Sequence, residues 1–267
     1  MNEQLEKIVK QVQEGVKYRF IHSDLIENIA ENELKKGRSW KETVKSIRTK
    51  LHQVGAAYQP QGIDYDQLYS EMKSLPADMN QIEVKRFLIQ AMGKHASTRE
   101  RLQILDQFYR ETLSSLSPID SILDVACGLN PLALAWMPIS DTVKVTVCDI
   151  YTDQIDFLNA FFDYYHINGK AFCCDLTQQI PKEAAQVGFV LKTIPCLEQI
   201  DKNIGARILQ DLPCQNLLVS FPAQSLTGKK KGMRQFYSEH FQYLLRNTSW
   251  DVTTFSFTNE QAFLIKK

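Results

Sequence analysis

The pattern of apolar and polar positions divides the chain near residue 95. Before it, apolar residues recur at helical spacing within polar stretches, and almost nothing reads as a strand. The clearest stripe is Trp40, Val44, Ile47 and Leu51, at i, i+4, i+7 and i+11. After residue 95, short β-rich runs alternate with helical patterns and predict strands over 121–126, 143–149, 170–174, 187–192, 216–221, 251–257 and 261–266. Strands that alternate with helices imply a mostly parallel, doubly wound α/β sheet. Only Thr258-Asn-Glu260 separates the last two runs, so they read as a hairpin with one antiparallel strand. Ser97 and Glu100 have capping-box spacing and predict a helix from about Thr98, with Leu102, Leu105, Phe108, Tyr109 and Leu113 as its apolar stripe.

Chemistry enters at the first strand. Ser121-Ile-Leu-Asp-Val-Ala-Cys-Gly-Leu-Asn-Pro131 leads into Leu132-Ala-Leu-Ala-Trp-Met137, which reads as strand, glycine turn and helix. The turn holds one glycine, Gly128, which argues against a dinucleotide pyrophosphate and its several close backbone approaches. It suits a ligand without phosphate, such as S-adenosylmethionine (SAM). The second strand ends at Asp149-Ile150, where an acid can hold a ribose diol or cap the next helix. The third ends at Cys174-Asp175-Leu176, where a carboxylate can accept from the adenine amine while Leu176 packs on the ring; a plain turn is the other reading. Asp124, Asp149 and Asp175 lie at or near the ends of successive strands, which share one edge in a parallel sheet. Arg99 and Arg101 occupy the predicted first turn of a helix, where the dipole disfavours cations. They point to an anionic partner, the SAM carboxylate among the candidates, or to a structural ion pair.

Composition narrows the class. The 267 residues suffice for one large domain or two smaller ones, and 44% hydrophobic with 23% charged residues is ordinary for a soluble globular protein. No apolar run approaches the ~18 residues of a membrane helix. The acidic, helical N-terminus is unlike a signal peptide, so a cytoplasmic protein is expected. None of the six cysteines forms a C-x-x-C pair or a zinc pattern with histidine, so reduced thiols and no metal are expected. The net charge is zero, but the distribution is uneven. Between Lys35 and His52 seven cations face one acid, Glu42. Lys41, Lys45, Arg48 and His52 follow the apolar stripe one position on, so one helix edge is apolar and the adjoining edge cationic. Solvated helices usually mix signs. That edge, with Lys50, therefore reads as a phosphate-binding face, a solvated face being the other reading; Lys229, Lys231 and Arg234 form a second basic cluster, in a loop that closes on RNA or is simply exposed.

Together, HASTRERL (95–102), DVACGLNPLAL (124–134), LKTIPCLE (191–198) and SFPAQSLTGKKKGM (220–233) resemble the aminoglycoside-resistance 16S ribosomal RNA (guanine 1405-N7)-methyltransferases. KLHQ (50–53) fits as well, whereas 1–34 and 60–80 carry no distinctive motif. The resemblance implies a class I SAM-dependent methyltransferase domain over 95–267, Rossmann-like with a mostly parallel seven-stranded sheet. It implies a helical N-terminal domain over 1–94 that docks on the ribosomal subunit. It places Arg101, rather than Arg99, on the SAM carboxylate. Ala126, Gly128, Asp149, Ile150, Asp175, Leu176 and Lys192 are the other implied cofactor positions. Ala135 stands where the family pattern has proline, which a surface helix accommodates.

The implied partner is the 30S subunit, at the helix 44 region of 16S rRNA, with no membrane and no metal involved. Guanine N7 has a free lone pair and attacks a sulfonium methyl without losing a proton, so no general base is expected. Positioning carries catalysis, near Lys192 and Pro195 beyond the fourth strand. Phe221, after the fifth, is either a stacking surface or plain core. N7 lies in the deep, narrow major groove of A-form RNA, so the base must be unstacked. Two other classes stay open at this point. A small-molecule methyltransferase leaves the cationic helix unexplained, and a non-catalytic RNA-binding protein leaves Gly128, Asp149 and Asp175 unexplained.

Overall fold

The seven runs expected as strands form β1 (Ile119–Val125), β2 (Ile139–Asp149), β3 (Asn168–Cys173), β4 (Ala185–Leu191), β5 (Cys214–Pro222), β6 (Asp251–Ser256) and β7 (Glu260–Lys266). The computed structural model describes residues 3–60, 62–223 and 232–267. One sheet has the order β3-β2-β1-β4-β5-β7-β6. β1 to β5 pair in parallel, and β7 runs antiparallel to both β5 and β6. The terminal hairpin thus supplies the reversed strand. The chain winds outward from β1 through β2 and β3, then returns at β4. The crevice beyond the carboxyl ends of β1 and β4 is therefore the expected ligand site of this topology.

The helices are α1 (Glu3–Gln13), α2 (Ser23–Leu34), α3 (Trp40–Leu51), α4 (Tyr65–Lys73), α5 (Ile82–Met92), α6 (Ala96–Arg101), α7 (Leu105–Leu113), α8 (Thr152–Tyr164), α9 (Ile194–Leu197), α10 (Ile204–Asp211) and α11 (Met233–Leu245). Successive strand residues enter opposite cores: Leu218 joins Ile122 and Val145 on one face, while Leu217 and Val219 join Leu123 and Val125 on the other. α4, α5, α7 and α8 cover the first face, and α10 and α11 the second.

A third core belongs to α1, α2 and α3, with Ile8, Val12, Ile26, Ile29, Ile47 and Leu51 packed together and against Tyr151. Tyr65, Leu68, Met72, Val84, Phe87 and Leu88 instead join the core of the sheet. The helices from residue 65 onward thus pack with the sheet rather than with α1–α3. Helical periodicity shows which face is apolar, not which neighbour covers it. The N-terminal module is pinned to the end of β2 by His22 N to Ile150 O (2.8 Å) and Thr152 N to Phe20 O (2.8 Å).

Two local expectations change. The segment after the glycine turn is a 3-10 helix, Asn130–Trp136, rather than an α-helix. Asn130 to Leu134 are all buried, so the segment has no polar face of the kind an amphipathic α-helix shows. α6 starts at Ala96 behind His95 without a side-chain cap, and Glu100 turns to Lys192 rather than to a capping box. The helix also breaks into a 3-10 turn over Leu102–Ile104 before α7.

The run of cations is partly accounted for by one acid outside it. Glu33, fully buried at the end of α2, receives Lys36 (2.6 Å), Lys50 (3.0 Å), Arg38 and the hydroxyl of Ser46 (2.9 Å). Burial raises the Glu33 acid, but bonds from Lys36, Lys50 and Ser46 outweigh it and hold it at about 2. A depressed carboxylate contributes stability that is present above the ordinary value and lost as pH falls toward the folded one. Hydrogen exchange should therefore show α1–α3 losing protection between about pH 4.5 and 2. Glu33→Gln should cost about 2 kcal/mol at neutral pH and flatten that acid dependence. An unchanged acid profile in the variant would place the dependence elsewhere.

Candidate active site

Three residues at the strand ends hold left-handed backbone: Ala126 (φ 50°) and Gly128 (φ 53°) beyond β1, and Lys192 (φ 58°) beyond β4. Such φ values are uncommon outside glycine and concentrate at functional turns. Here they reverse the chain over the crevice. A Cβ on Gly128 would meet the His95 ring at 2.8 Å, so the turn needs glycine for both conformation and space.

Asp149 ends β2, and its two oxygens accept from Gly128 N (2.8 Å) and Ile150 N (2.7 Å). A carboxylate has about four acceptor positions, so this one can still hold a diol. Burial raises its acid, and these backbone bonds oppose the rise. Asp175 accepts from Thr177 N (2.9 Å) and from Asn28 of α2 (3.1 Å). Buried Gln154 donates to Gly128 O (3.0 Å) and accepts from Gln59 (3.1 Å) and Tyr65 (3.2 Å), bracing the glycine turn from behind.

At the other end of the crevice lies a buried charge network. Arg101, 1% exposed, donates through Nε (3.1 Å) and Nη2 (2.6 Å) to Glu260 and through Nη1 (2.8 Å) to Asn130. Burial works against its charge, but Glu260 more than compensates. Lys192 Nζ donates to Glu100 (2.8 Å) and lies 3.3 Å from Glu260. Asn130 also donates to Asp124 (2.7 Å), whose acid burial raises to about 8.

These elements enclose a cleft of about 830 Å³, including its mouth. Arg101, Ala126, Asp149, Ile150, Asp175, Leu176 and Lys192 all line it; Gly128 stands behind the wall under His95. No sequence motif marks Leu25, Val54, Gly55 and Tyr58, by which the N-terminal module covers the cleft. A Cβ on Gly55 would meet Tyr151 Oη at 2.9 Å, so only the absence of a side chain there would have signalled the close contact. His95 Nδ1 and Tyr151 Oη, both on the cleft, are buried without a protein partner. With the carboxylates at one end and the cations at the other, they fit a polar nucleoside carrying an amino-acid tail.

A second groove shares Tyr58, Lys192 and Cys196 with the cleft and adds His52, Pro195 and Tyr237. His52 also belongs to a surface groove with Trp40, Lys41, Lys45 and Arg48. Phe221 is absent from these surfaces. It is fully buried and stacks on Tyr237 (5.1 Å) within the core, so the core reading holds. The basic positions separate. Lys41, Lys45 and His52 are exposed. Lys50 is committed to Glu33. Arg48 donates to Gln11 O (2.6 Å), and Arg234 to Thr258 O (3.1 Å) and Phe257 O. Lys229 and Lys231 lie outside the described residues. Among the described residues no cluster fits a metal ion and no helix is long and apolar enough to cross a membrane. All six cysteines are free thiols.

The model of the ribosomal RNA methyltransferase (FmrO) family matches residues 14–265. The chain belongs to that family. The methyltransferase is 33% identical over 227 residues to the 16S rRNA (guanine(1405)-N(7))-methyltransferase of Micromonospora rosea, covering 85% of this chain and 83% of that protein. It is 30% identical over 269 residues to the Frankia casuarinae protein of the same name, covering 98% and 95%. Among solved structures, the 16S rRNA methyltransferase RmtF in complex with S-adenosyl-L-homocysteine superposes with a TM-score of 0.84 at 28% identity, covering 100% of this chain and 99% of that one. An rRNA methylase from Escherichia coli gives 0.79 at 26% identity, covering 98% and 99%. In the methyltransferase the glycine turn is a stability determinant. Gly128→Ala should cost about 1–3 kcal/mol from left-handed strain and the clash with His95, read as a lowered denaturation midpoint. An unchanged midpoint would mean that the ring moves aside freely.

Proposed function

We propose that this methyltransferase moves the methyl group of SAM to N7 of guanine 1405 in 16S rRNA, within the 30S subunit at the helix 44 region. We place it in the cytoplasm, where the subunit is found, and assign it an aminoglycoside-resistance role. The observation that carries the reading is one continuous path. The exposed cations of α3 share His52 with the second groove, and that groove shares Lys192 and Tyr58 with the cleft.

When bound, SAM supplies an electrophilic methyl on a sulfonium. Of the residues lining the cleft, Asp149 would accept from the ribose hydroxyls and Asp175 from the adenine amine, with Ile150 and Leu176 against the ring. Arg101 and Lys192, which line the cleft, would hold the carboxylate end. N7 brings its own lone pair, so the protein's task is to align it. Pro195 and Tyr237 wall the groove where the unstacked base would enter. His95 beside it is neutral at physiological pH, because burial and then the charges of Lys192, Arg99 and Arg101 lower it to about 4. Methylation leaves the purine cationic, so a polycationic drug meets repulsion as well as bulk.

The decisive experiment offers methyl-labelled SAM with intact 30S subunits and with naked 16S RNA, then maps 7-methylguanine by strand cleavage. Label in subunits alone, at guanine 1405, is the expected result. Turnover of a small metabolite without subunits would move the enzyme to another substrate class. Asp149→Ala should weaken S-adenosylhomocysteine by about tenfold or more, the worth of charge-assisted bonds; wild-type affinity would remove Asp149 from the site. The double variant Lys41→Glu, Lys45→Glu should weaken subunit binding and its salt dependence while leaving S-adenosylhomocysteine affinity unchanged. Wild-type subunit binding in that variant would take this edge out of the docking surface.

A further inference from the structure

Glu260 opens β7 and is wholly buried, 159 residues along the chain from the arginine it binds. It does not line the cleft, but both cations that it holds do. We propose that Glu260 is a positioning residue for the amino-acid end of the cofactor: its one carboxylate fixes Arg101 and Lys192 together and acts on a bound carboxylate through them. The proposal rests on the reading of the cleft as a SAM site.

Three observations carry it. First, the Arg101 fork is restrained on several sides: Glu260 takes Nε and Nη2, Asn130 takes Nη1, and the Phe108 ring lies 4.7 Å from the guanidinium carbon. Its direction is therefore set before any ligand arrives, which is what preorganised recognition of a planar anion requires. Second, Lys192 stands in left-handed backbone and is drawn to Glu260 at 3.3 Å and Glu100 at 2.8 Å. Third, the network is an uneconomical way to close a sheet. Buried ion pairs often stabilise no better than apolar residues of the same volume, and beyond Gln261 the β7 positions Ala262, Phe263, Leu264 and Ile265 are apolar and buried. A charge at Glu260 is explained by what it does to the two cations.

The test is Glu260→Gln in the full chain, titrated by calorimetry with S-adenosylhomocysteine and with 5′-methylthioadenosine. The second ligand keeps the adenosine and sulfur but has no amino-acid end. S-adenosylhomocysteine should weaken by about tenfold or more, while 5′-methylthioadenosine stays within about twofold. In transfer assays KM for SAM should rise and kcat at saturation should hold. Glu260→Asp, which keeps the charge, should recover part of the loss. If Glu260→Gln does not fold, Glu260→Asp carries the same comparison, with a smaller but still selective loss expected. Equal weakening of both ligands would reduce Glu260 to structural support and overturn the proposal; so would no weakening of either. Arg101→Lys separates the two readings. Selective loss there, with none in the Glu260 variants, overturns the role of Glu260 and keeps the cleft assignment. No discrimination in Arg101→Lys overturns the assignment of that end of the cleft and the proposal with it.

Discussion

A guanidinium cannot shed its proton inside a protein, so a buried arginine obliges the rest of the fold to meet it. Arg101 imposes that obligation here. Its partners come from β7, from the turn after β1 and, through Asn130, from Tyr109 of α7 and Asp124 of β1. One charge thus ties the short helix α6 to β1 and to β7, which lie three strands apart in the sheet. The network also balances. Asp124, raised to about 8 by burial, carries its proton at neutral pH, leaving Glu260 and Glu100 to face Arg101 and Lys192. Removing one partner would leave a buried charge uncompensated, which is far costlier than replacing a whole pair.

The N-terminal module solves the opposite problem, keeping cations outward. Seven cations in a short window look uniform in the sequence, but Glu33 draws Lys36, Arg38 and Lys50 inward and fixes the turn between α2 and α3. What remains exposed on α3, Lys41 and Lys45, is a narrower and more directed edge than the count suggested. Trp40, held by Gln11 through its indole N–H (2.6 Å), stands at the border of the apolar stripe and that edge. The capping box of Ser39 and Glu42 starts α3 and engages the acid of its first turn.

The parts of this structure legible in the sequence are those set by local pattern. Short β-rich runs located all seven strands, and parallel order put Asp149 and Asp175 on one edge. The single glycine of the first turn does adopt a left-handed φ, as a tight strand-to-helix reversal requires. What stayed hidden depends on contacts distant in the chain. Glu260 looks like an ordinary hairpin residue until the sheet brings it to Arg101. Gly55 and Tyr58 lie in and beside a π-helical turn, His52–Ala56, with no sequence signature. Ser97 and Glu100 carried the spacing of a capping box, but Lys192 offered Glu100 a buried partner, and tertiary electrostatics won over a local hydrogen bond. Phe221 was ambiguous because an aromatic at a strand end serves equally as core or platform; Tyr237, Phe241 and Phe263 around it decide for core.

The distribution of charge within the cleft has a consequence for the chemistry. Carboxyl groups line one side, Asp149 and Asp175, and basic groups the other, Arg101 and Lys192. The groups between them are neutral at physiological pH. His95 is lowered to about 4, Cys196 is raised by burial to about 11, and the Tyr58 hydroxyl, which hydrogen-bonds to Cys196 at 2.8 Å, is raised further by burial. Methyl transfer to a neutral purine moves positive charge from sulfur to the ring. A fixed anion beside either atom would favour the charge on that side, whereas a neutral wall leaves the barrier to be set by alignment. α3, the proposed docking helix, runs directly into the π-helical turn that presents Val54 and Gly55 to the cleft. On the proposed docking role of α3, the element that would read the RNA surface and the wall of the reaction site are one stretch of chain, so an error in docking would also be an error in alignment.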